Sequence, residues 1–269
     1  MEYGCKGKNV CITGGTSGIG LAVARTLIRE GARVLVIGRE AAKGARVEQE
    51  LLQLAVPDSR GTAAGTESAA QPAAAFLALD VSRRENCRQL TAALREFCGR
   101  GGLDILVTSA GIYREQPLDR IEEQDYAAML DTNVAGTLWI IQAAAPVLNE
   151  GSSIVTVGSD AGVSGNYGCP LYCASKGAVV ALSKALALDL APRTRVNCVC
   201  PGDVATPLVK RQLAQAGGSY TQAEMAAAYP LGRIGTPEEI AHVICAVASP
   251  ANSFMTGAVI MADGGLTAQ

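Results

Sequence analysis

Asn9-Val10-Cys11-Ile12-Thr13 runs without a break into Gly14-Gly15-Thr16-Ser17-Gly18-Ile19-Gly20, and then into Leu21-Ala22-Val23-Ala24-Arg25-Thr26-Leu27-Ile28-Arg29-Glu30. The first five residues read as a short buried strand and the last ten as a helix. Glycines between them let the backbone turn sharply and come close to a pyrophosphate, whose charge is favoured at a helix N-terminus. The spacing Gly14-x-x-x-Gly18-x-Gly20 differs from the generic G-x-G-x-x-G. Its place after a strand and before a helix still points to nucleotide binding.

Moving outward, short β-branched runs alternate with longer helical stretches. Strands are expected at 9–13, 33–37, 75–79, 104–108, 153–157, 194–200 and 258–261, and helices near 18–30, 41–55, 84–98, 122–149, 171–190 and 237–248. Continuous apolar strands alternating with helices predict an α/β fold: one doubly wound Rossmann domain over residues 1–269, with a seven-stranded, mostly parallel sheet covered by helices on both faces. Two segments break the rhythm. Residues 57–74 are rich in Ala, Gly, Ser and Thr and read as a flexible surface loop. Residues 203–230 follow a strand end, the place where ligands bind on such sheets, and form a candidate substrate lid.

Composition removes several function classes. With 23 Lys and Arg against 25 Asp and Glu, the net charge of −2 gives no support for nucleic-acid binding or an anionic membrane surface. The single histidine, His242, and the absence of zinc-like His/Cys spacing argue against a metal site. No apolar run is read as long enough to span a bilayer, and the N-terminus lacks the order of a signal peptide. Nine cysteines are present; Cys11, Cys198, Cys200 and Cys245 sit in apolar runs and read as small buried side chains, which suits a reducing cytoplasm.

The second strand ends in Val36-Ile37-Gly38-Arg39. An acidic residue at that place would bind the adenosine ribose hydroxyls and repel a 2′-phosphate. Gly38 followed by a guanidinium instead favours NADP(H), with NAD(H) the alternative. Farther along, Tyr172 and Lys176 stand four apart in Tyr-Cys-Ala-Ser-Lys on a helical stretch, so a phenol and an ammonium share one face. A neighbouring cation is expected to pull the phenol pKa down from roughly 10 toward the range of a general acid or base. Ser159 stands thirteen residues upstream. Each of these residues has an ordinary structural explanation when taken singly, and it is the combination that carries the argument.

Taken together, these motifs resemble those of the short-chain dehydrogenase/reductase family over nearly the whole chain. The residues Thr13-Gly14-x-x-x-Gly18-Ile19-Gly20 look like its cofactor turn, and Asp80-Val81 like the pair that contacts adenine. Asn133, Ser159, Tyr172 and Lys176 match its catalytic tetrad in order. Pro201-Gly202-Asp203-Val204-Ala205-Thr206-Pro207 looks like the stretch that holds the nicotinamide carboxamide, through Val204 and Thr206. The tail from Leu231-Gly232-Arg233 to Asp263-Gly264-Gly265 is similar to the bacterial 3-oxoacyl-(acyl-carrier-protein) reductases. In two places the pattern departs: Ser109-Ala110-Gly111 stands where the family has Asn-Ala-Gly, and the loop at 57–74 is longer than usual.

The resemblance implies a cofactor site at Gly14, Thr16, Ser17, Gly18, Ile19, Gly20, Gly38, Arg39, Asp80, Val81, Ser109, Ala110, Gly111, Tyr172, Lys176, Pro201, Gly202, Val204 and Thr206. It implies that Tyr172 exchanges the proton, Ser159 donates to the substrate oxygen, Lys176 anchors the ribose and Asn133 positions a water in a proton relay. Substrate contacts are expected from Ser159, Tyr167, Tyr172 and Asp203, with Tyr113, Val163, Cys169 and 207–229 lining the pocket. The candidate substrates are a 3-oxoacyl thioester, a steroid or bile-acid ketone, a polyol or sugar, and a xenobiotic ketone. A non-catalytic NADP-sensing regulator and an isomerase or dehydratase remain alternatives. Consecutive Trp139, Ile140 and Ile141, with Val179 and Val180, suggest surplus apolar surface, and similar enzymes assemble as homotetramers or homodimers.

Overall fold

The first strand, β1 (Asn9–Thr13), is buried at every position, as a strand covered by helices on both faces must be. The computed structural model describes residues 2–55, 72–215, 217–218 and 220–268. From β1 the chain continues through α1 (Gly18–Arg29), β2 (Arg33–Gly38), α2 (Ala41–Leu54), β3 (Ala74–Ala78), α3 (Arg84–Cys98) and β4 (Leu103–Thr108). Then come α4 (Glu123–Leu130), α5 (Gly136–Ala144), β5 (Leu148–Val157), α6 (Pro170–Asp189) and β6 (Thr194–Pro201). The last elements are α7 (Pro207–Gln215), α8 (Gln222–Ala227), α9 (Pro237–Ala248) and β7 (Val259–Ala262).

Among the described residues the strands form one seven-stranded sheet in the order β3-β2-β1-β4-β5-β6-β7, with every neighbouring pair parallel. The winding reverses between β1 and β4, so the carboxyl ends of these two strands open a crevice suited to a ligand. Side chains of β1 alternate between two cores, as the period of a strand requires. Val10 and Ile12 join Val23, Leu27 and Ile28 of α1 and Ile240, Ile244 and Cys245 of α9. Cys11 joins Leu90 and Leu94 of α3 and Ile140, Ile141 and Ala144 of α5 on the opposite face. Each fully buried leucine, such as Leu27 or Leu94, contributes about 1.5–3 kcal/mol relative to exposure.

Four expectations change. The helix read at 122–149 is broken: α4 passes into a π-helical turn at Asp131–Ala135, and α5 ends at Ala144. A 3-10 turn with Pro146 near its start follows, and β5 already begins at Leu148, opposite Leu103. β3 spans Ala74–Ala78 rather than 75–79, while residues 57–71 of the expected loop lie outside the described residues. The apolar residues read as surplus are mostly used within the chain. Ile140, Ile141 and Val179 are buried, and the Arg84 guanidinium covers the Trp139 ring at 4.3 Å. Finally, α6 is long and apolar enough by length and composition to cross a membrane, yet its buried residues pack into this fold, among them Ser175, Lys176 and Ser183.

Residues 203–235 form a flap over the carboxyl end of the sheet. A bridge between Val204 and Gly235 closes its base. The Gly235 N–H donates to the Asp203 carbonyl at 2.9 Å, and the Ala205 N–H donates to the Gly235 carbonyl at 2.9 Å. Val209, Met225, Tyr229 and Ile234 give the flap a small core of its own. The lone His242 lies elsewhere, on α9, where Nδ1 meets the Tyr3 hydroxyl at 2.5 Å.

Candidate active site

At the winding reversal the loops after β1 and β4 are joined. The Ser109 N–H donates to the Thr13 carbonyl at 3.2 Å, and the Ala110 N–H donates to Thr13 Oγ1 at 3.2 Å. The Ser109 hydroxyl makes no hydrogen bond among the described residues, so backbone amides hold this loop. Gly14 sits at φ +66°, and a Cβ there would stand 2.8 Å from the Ala110 nitrogen, so no other residue is compatible with both constraints. Helix α1 starts from Ser17, whose side chain makes no capping bond. The first-turn N–H groups are therefore left to an anion, which is what a pyrophosphate requires.

A cavity of about 770 Å³ begins at this turn and runs along the carboxyl ends of the strands. Of the residues singled out by sequence, Gly14, Ser17, Gly18, Ile19, Ser109, Ala110, Gly111, Tyr113, Ser159, Tyr167, Tyr172, Lys176, Pro201, Gly202, Asp203, Val204 and Thr206 line it. Thr16, Gly20, Gly38, Arg39, Asp80 and Val81 do not. Gly38 packs on Thr16, at the end of β2, and Arg39 is exposed beside it. Asp80 Oδ1 accepts from the Ser82 N–H at 3.0 Å and the Ser82 hydroxyl at 2.8 Å, and Val81 is buried. Val163 and Cys169, expected in the pocket, are absent from its wall. Cys169 is buried beneath the surface and Val163 is half exposed.

Asn133 stands in the π-helical turn and is buried. Its Oδ1 accepts from the Ile112 N–H at 2.8 Å, while Nδ2 donates to the Ile112 carbonyl and to Ser175 Oγ, each at 3.0 Å. It thereby holds the loop after β4 against α6. Gly111 lies between Asn133 and Lys176: a Cβ there would be 3.3 Å from Asn133 Oδ1 and 3.5 Å from Lys176 Nζ.

Lys176 is 7 % exposed, and its ammonium donates to the Val157 carbonyl at 2.9 Å. Burial lowers its pKa from 10.5 to about 8. Its Nζ is 5.9 Å from the centre of the Tyr172 ring, and the Tyr113 ring meets the phenol edge-on at 4.8 Å. The expectation that Lys176 draws the phenol pKa down is not met. Burial raises it above the usual value, and the opposing influence is a hydrogen bond with Ser159. The reason is visible in the geometry, because the ammonium is committed to Val157 and is itself desolvated.

Ser159 ends the run after β5, where its hydroxyl accepts from the Ala161 N–H at 3.2 Å and donates to Asp160 Oδ1 at 2.7 Å. Burial raises the Asp160 pKa, and Asp263 adds repulsion. Across the cavity the Tyr229 hydroxyl donates to Asp203 Oδ2 at 2.9 Å and accepts from the Asp203 N–H at 2.7 Å. Burial raises the Asp203 pKa too, with repulsion from Asp160 and Glu115.

Asp160, Glu115, Gln212, Tyr220 and Tyr229 also line the cavity, and sequence reading did not single them out. Asp160 left a signal, being a carboxylate placed directly after an apolar strand and beside Ser159. Gln212, Tyr220 and Tyr229 fell within the expected lid, whereas Glu115 left no signal of its own.

Comparison with known proteins agrees with this geometry. The family model described as enoyl-(acyl carrier protein) reductase matches residues 14–267. The 3-oxoacyl-[acyl-carrier-protein] reductase FabG of Thermotoga maritima is 34% identical over 264 residues, covering 97% of this chain and 98% of the relative. A solved structure from Brucella melitensis, titled short-chain dehydrogenase/reductase SDR:glucose/ribitol dehydrogenase, superposes with a TM-score of 0.85 at 32% identity and 99% coverage of both chains. Another, titled ElxO with NADP bound, has a TM-score of 0.82 at 28% identity, covering 98% of this chain and 100% of that chain.

Proposed function

Since the chain belongs to the short-chain dehydrogenase/reductase family, we propose that it is an NADP(H)-dependent oxidoreductase that interconverts a ketone and a secondary alcohol. The observation that carries this reading is the meeting of Tyr172, Ser159 and Lys176 with the glycine turn on one cavity wall. Gly14, Ser17, Gly18 and Ile19 hold the dinucleotide phosphates, Ser109 to Gly111 and Pro201 to Thr206 its nicotinamide half. Exposed Arg39, after Gly38 at the end of β2, pairs with a 2′-phosphate, which favours NADP(H) over NAD(H). The ElxO structure with NADP supports the same choice by analogy.

The bound dinucleotide supplies or accepts the hydride. Tyr172, with its pKa raised by burial, stands protonated at neutral pH, the state needed to deliver a proton to a nascent alkoxide. Ser159 donates to the substrate oxygen. In the free protein its proton points to Asp160. On substrate binding the serine proton turns from Asp160 to the substrate oxygen, while the Ala161 N–H keeps its bond to Ser159 Oγ. Lys176 binds the ribose and takes part in the relay that Asn133 extends toward solvent.

The test is Tyr172→Phe. The variant should keep the melting temperature and NADPH affinity while turnover falls about 10²–10⁴-fold; turnover within tenfold of the parent would refute the assigned acid. The reading also includes a cytoplasmic homotetramer or homodimer. Tyr126 on α4, Leu188 on α6 and Phe254 before β7 are among the large apolar side chains that remain exposed, and a monomer by light scattering at micromolar concentration would overturn the assembly.

A further inference from the structure

The wall facing Tyr172 is unusual in its chemistry. Tyr220 donates to Glu115 Oε2 at 2.7 Å, and Gln212 Nε2 donates to the Tyr220 hydroxyl at 2.9 Å and the Tyr113 hydroxyl at 3.4 Å. Asp203 Oδ2 accepts from Tyr229, while its Oδ1 makes no hydrogen bond among the described residues. This wall thus offers hydroxyls, an amide and carboxyls, already linked to one another and with acceptor capacity to spare, while the lining elsewhere includes Leu208, Met225 and Arg211.

From this geometry we infer that the substrate is a neutral polyhydroxylated ketone or alcohol of about monosaccharide size, with a hydroxyl next to the reacting carbon donating to Asp203. The inference rests on the oxidoreductase reading and assigns its substrate class. A hydroxyl both donates and accepts, which matches a wall where carboxyl acceptors and Tyr or Gln donors alternate. An acyl chain laid on the same wall would cover Asp203 Oδ1 without giving it a partner, at a cost of about 1–3 kcal/mol. Acids and phosphates would meet Glu115, Asp160, Asp203 and Glu224; of the cations on the lining, Lys176 is committed to Val157 and Arg211 is exposed on α7. An ammonium only donates, so it could not accept from the Tyr and Gln donors that alternate with those carboxyls. Size follows from the 770 Å³ cavity, which the coenzyme must share. In reduction, the hydride joins the carbonyl carbon, the Tyr172 proton joins its oxygen, and the phenol regains a proton from solvent.

The test compares small carbonyl probes with NADPH: erythrulose, its deoxy analogue 2-butanone, acetoacetyl-N-acetylcysteamine, 2-oxobutyrate, and the amine 1-amino-2-butanone, with 2,3-butanedione as an activated control. The kcat/KM for erythrulose should exceed that for 2-butanone by about 10²-fold or more, the scale of a site built to bond a substrate hydroxyl. In Asp203→Asn and in Glu115→Gln that ratio should fall at least about tenfold. As a readout free of turnover, calorimetry on Tyr172→Phe with NADPH should detect erythrulose and not 2-butanone. A ratio near one, or faster turnover of the thioester, the acid or the amine, overturns the substrate class alone. If butanedione is also untouched and NADPH does not bind, the oxidoreductase reading falls and takes this inference with it.

Discussion

Replacing Lys176 by Met should make the protein more stable at neutral pH while it stops working. The ammonium is 7 % exposed and makes one hydrogen bond, to the Val157 carbonyl. Holding a lysine at about pH 8 instead of 10.5 costs about 3 kcal/mol when it is charged. Losing the bond to Val157 returns about 1–2 kcal/mol of that in the other direction. The net gain is about 1–2 kcal/mol, a rise of about 2–6 °C in melting temperature for a chain of this size. Below pH 8 both folded and unfolded lysines are charged, and the penalty is present in full. Between pH 8 and 10.5 the unfolded chain binds a proton that the folded one does not, so parent stability rises with pH relative to the variant. Above that window both are neutral and the penalty is gone. Thermal melts of both coenzyme-free proteins from pH 6.5 to 10 would reveal the trend. A Met variant that melts lower than the parent at pH 7, or a gap that stays constant across the range, would refute the reasoning.

Two further perturbations test the coenzyme end. A Cβ at Gly20 would stand 2.6 Å from the Gly14 carbonyl oxygen, so Gly20→Ala must push α1 off the phosphate turn. At about 1–3 kcal/mol for overpacking, NADPH affinity by fluorescence titration should weaken about 5–150-fold, and unchanged affinity would contradict the packing. Arg39→Glu should raise the NADPH dissociation constant about 10–100-fold, the scale of a lost charge-assisted hydrogen bond. NADH binding should shift by less than about threefold, and equal losses for both coenzymes would remove the 2′-phosphate role.

How far the sequence can be read depends on how local each signal is. The strands at Asn9–Thr13 and Thr194–Pro201 centre on the apolar runs Val10-Cys11-Ile12 and Cys198-Val199-Cys200, so their neighbours matter little, and they fall within a residue of where expected. The break in the helix at 122–149 depends on Asn133 reaching Ile112, twenty-one residues away, and the apolar pattern carries no trace of that. Tyr172, Lys176 and Ser159 reach one cavity because the topology delivers β5 and α6 to the same crevice. Their pKa values could not be read the same way. The i, i+4 spacing places the ammonium near the phenol, but the Val157 carbonyl then claims it, and burial dominates both groups. Asp203 and the stretch holding Tyr220 were legible from their place after a strand end, but the arrival of Glu115 and Asp160 beside them was not, since these come from separate segments that meet them only in the folded chain.

The clasp between Val204 and Gly235, together with the flap's private core, has a consequence for how such a protein changes its trade. Ser159, Tyr172 and Lys176 are mounted on the run after β5 and on α6, whereas Gln212, Tyr220 and Tyr229 hang from a cassette whose two ends meet at one hinge-like seam. Exchanging residues 207–230 as a block would replace the partners of Glu115 and Asp203 and leave Ser159, Tyr172 and Lys176 where they stand. Selectivity can therefore be grafted or diversified in this scaffold without rebuilding its engine.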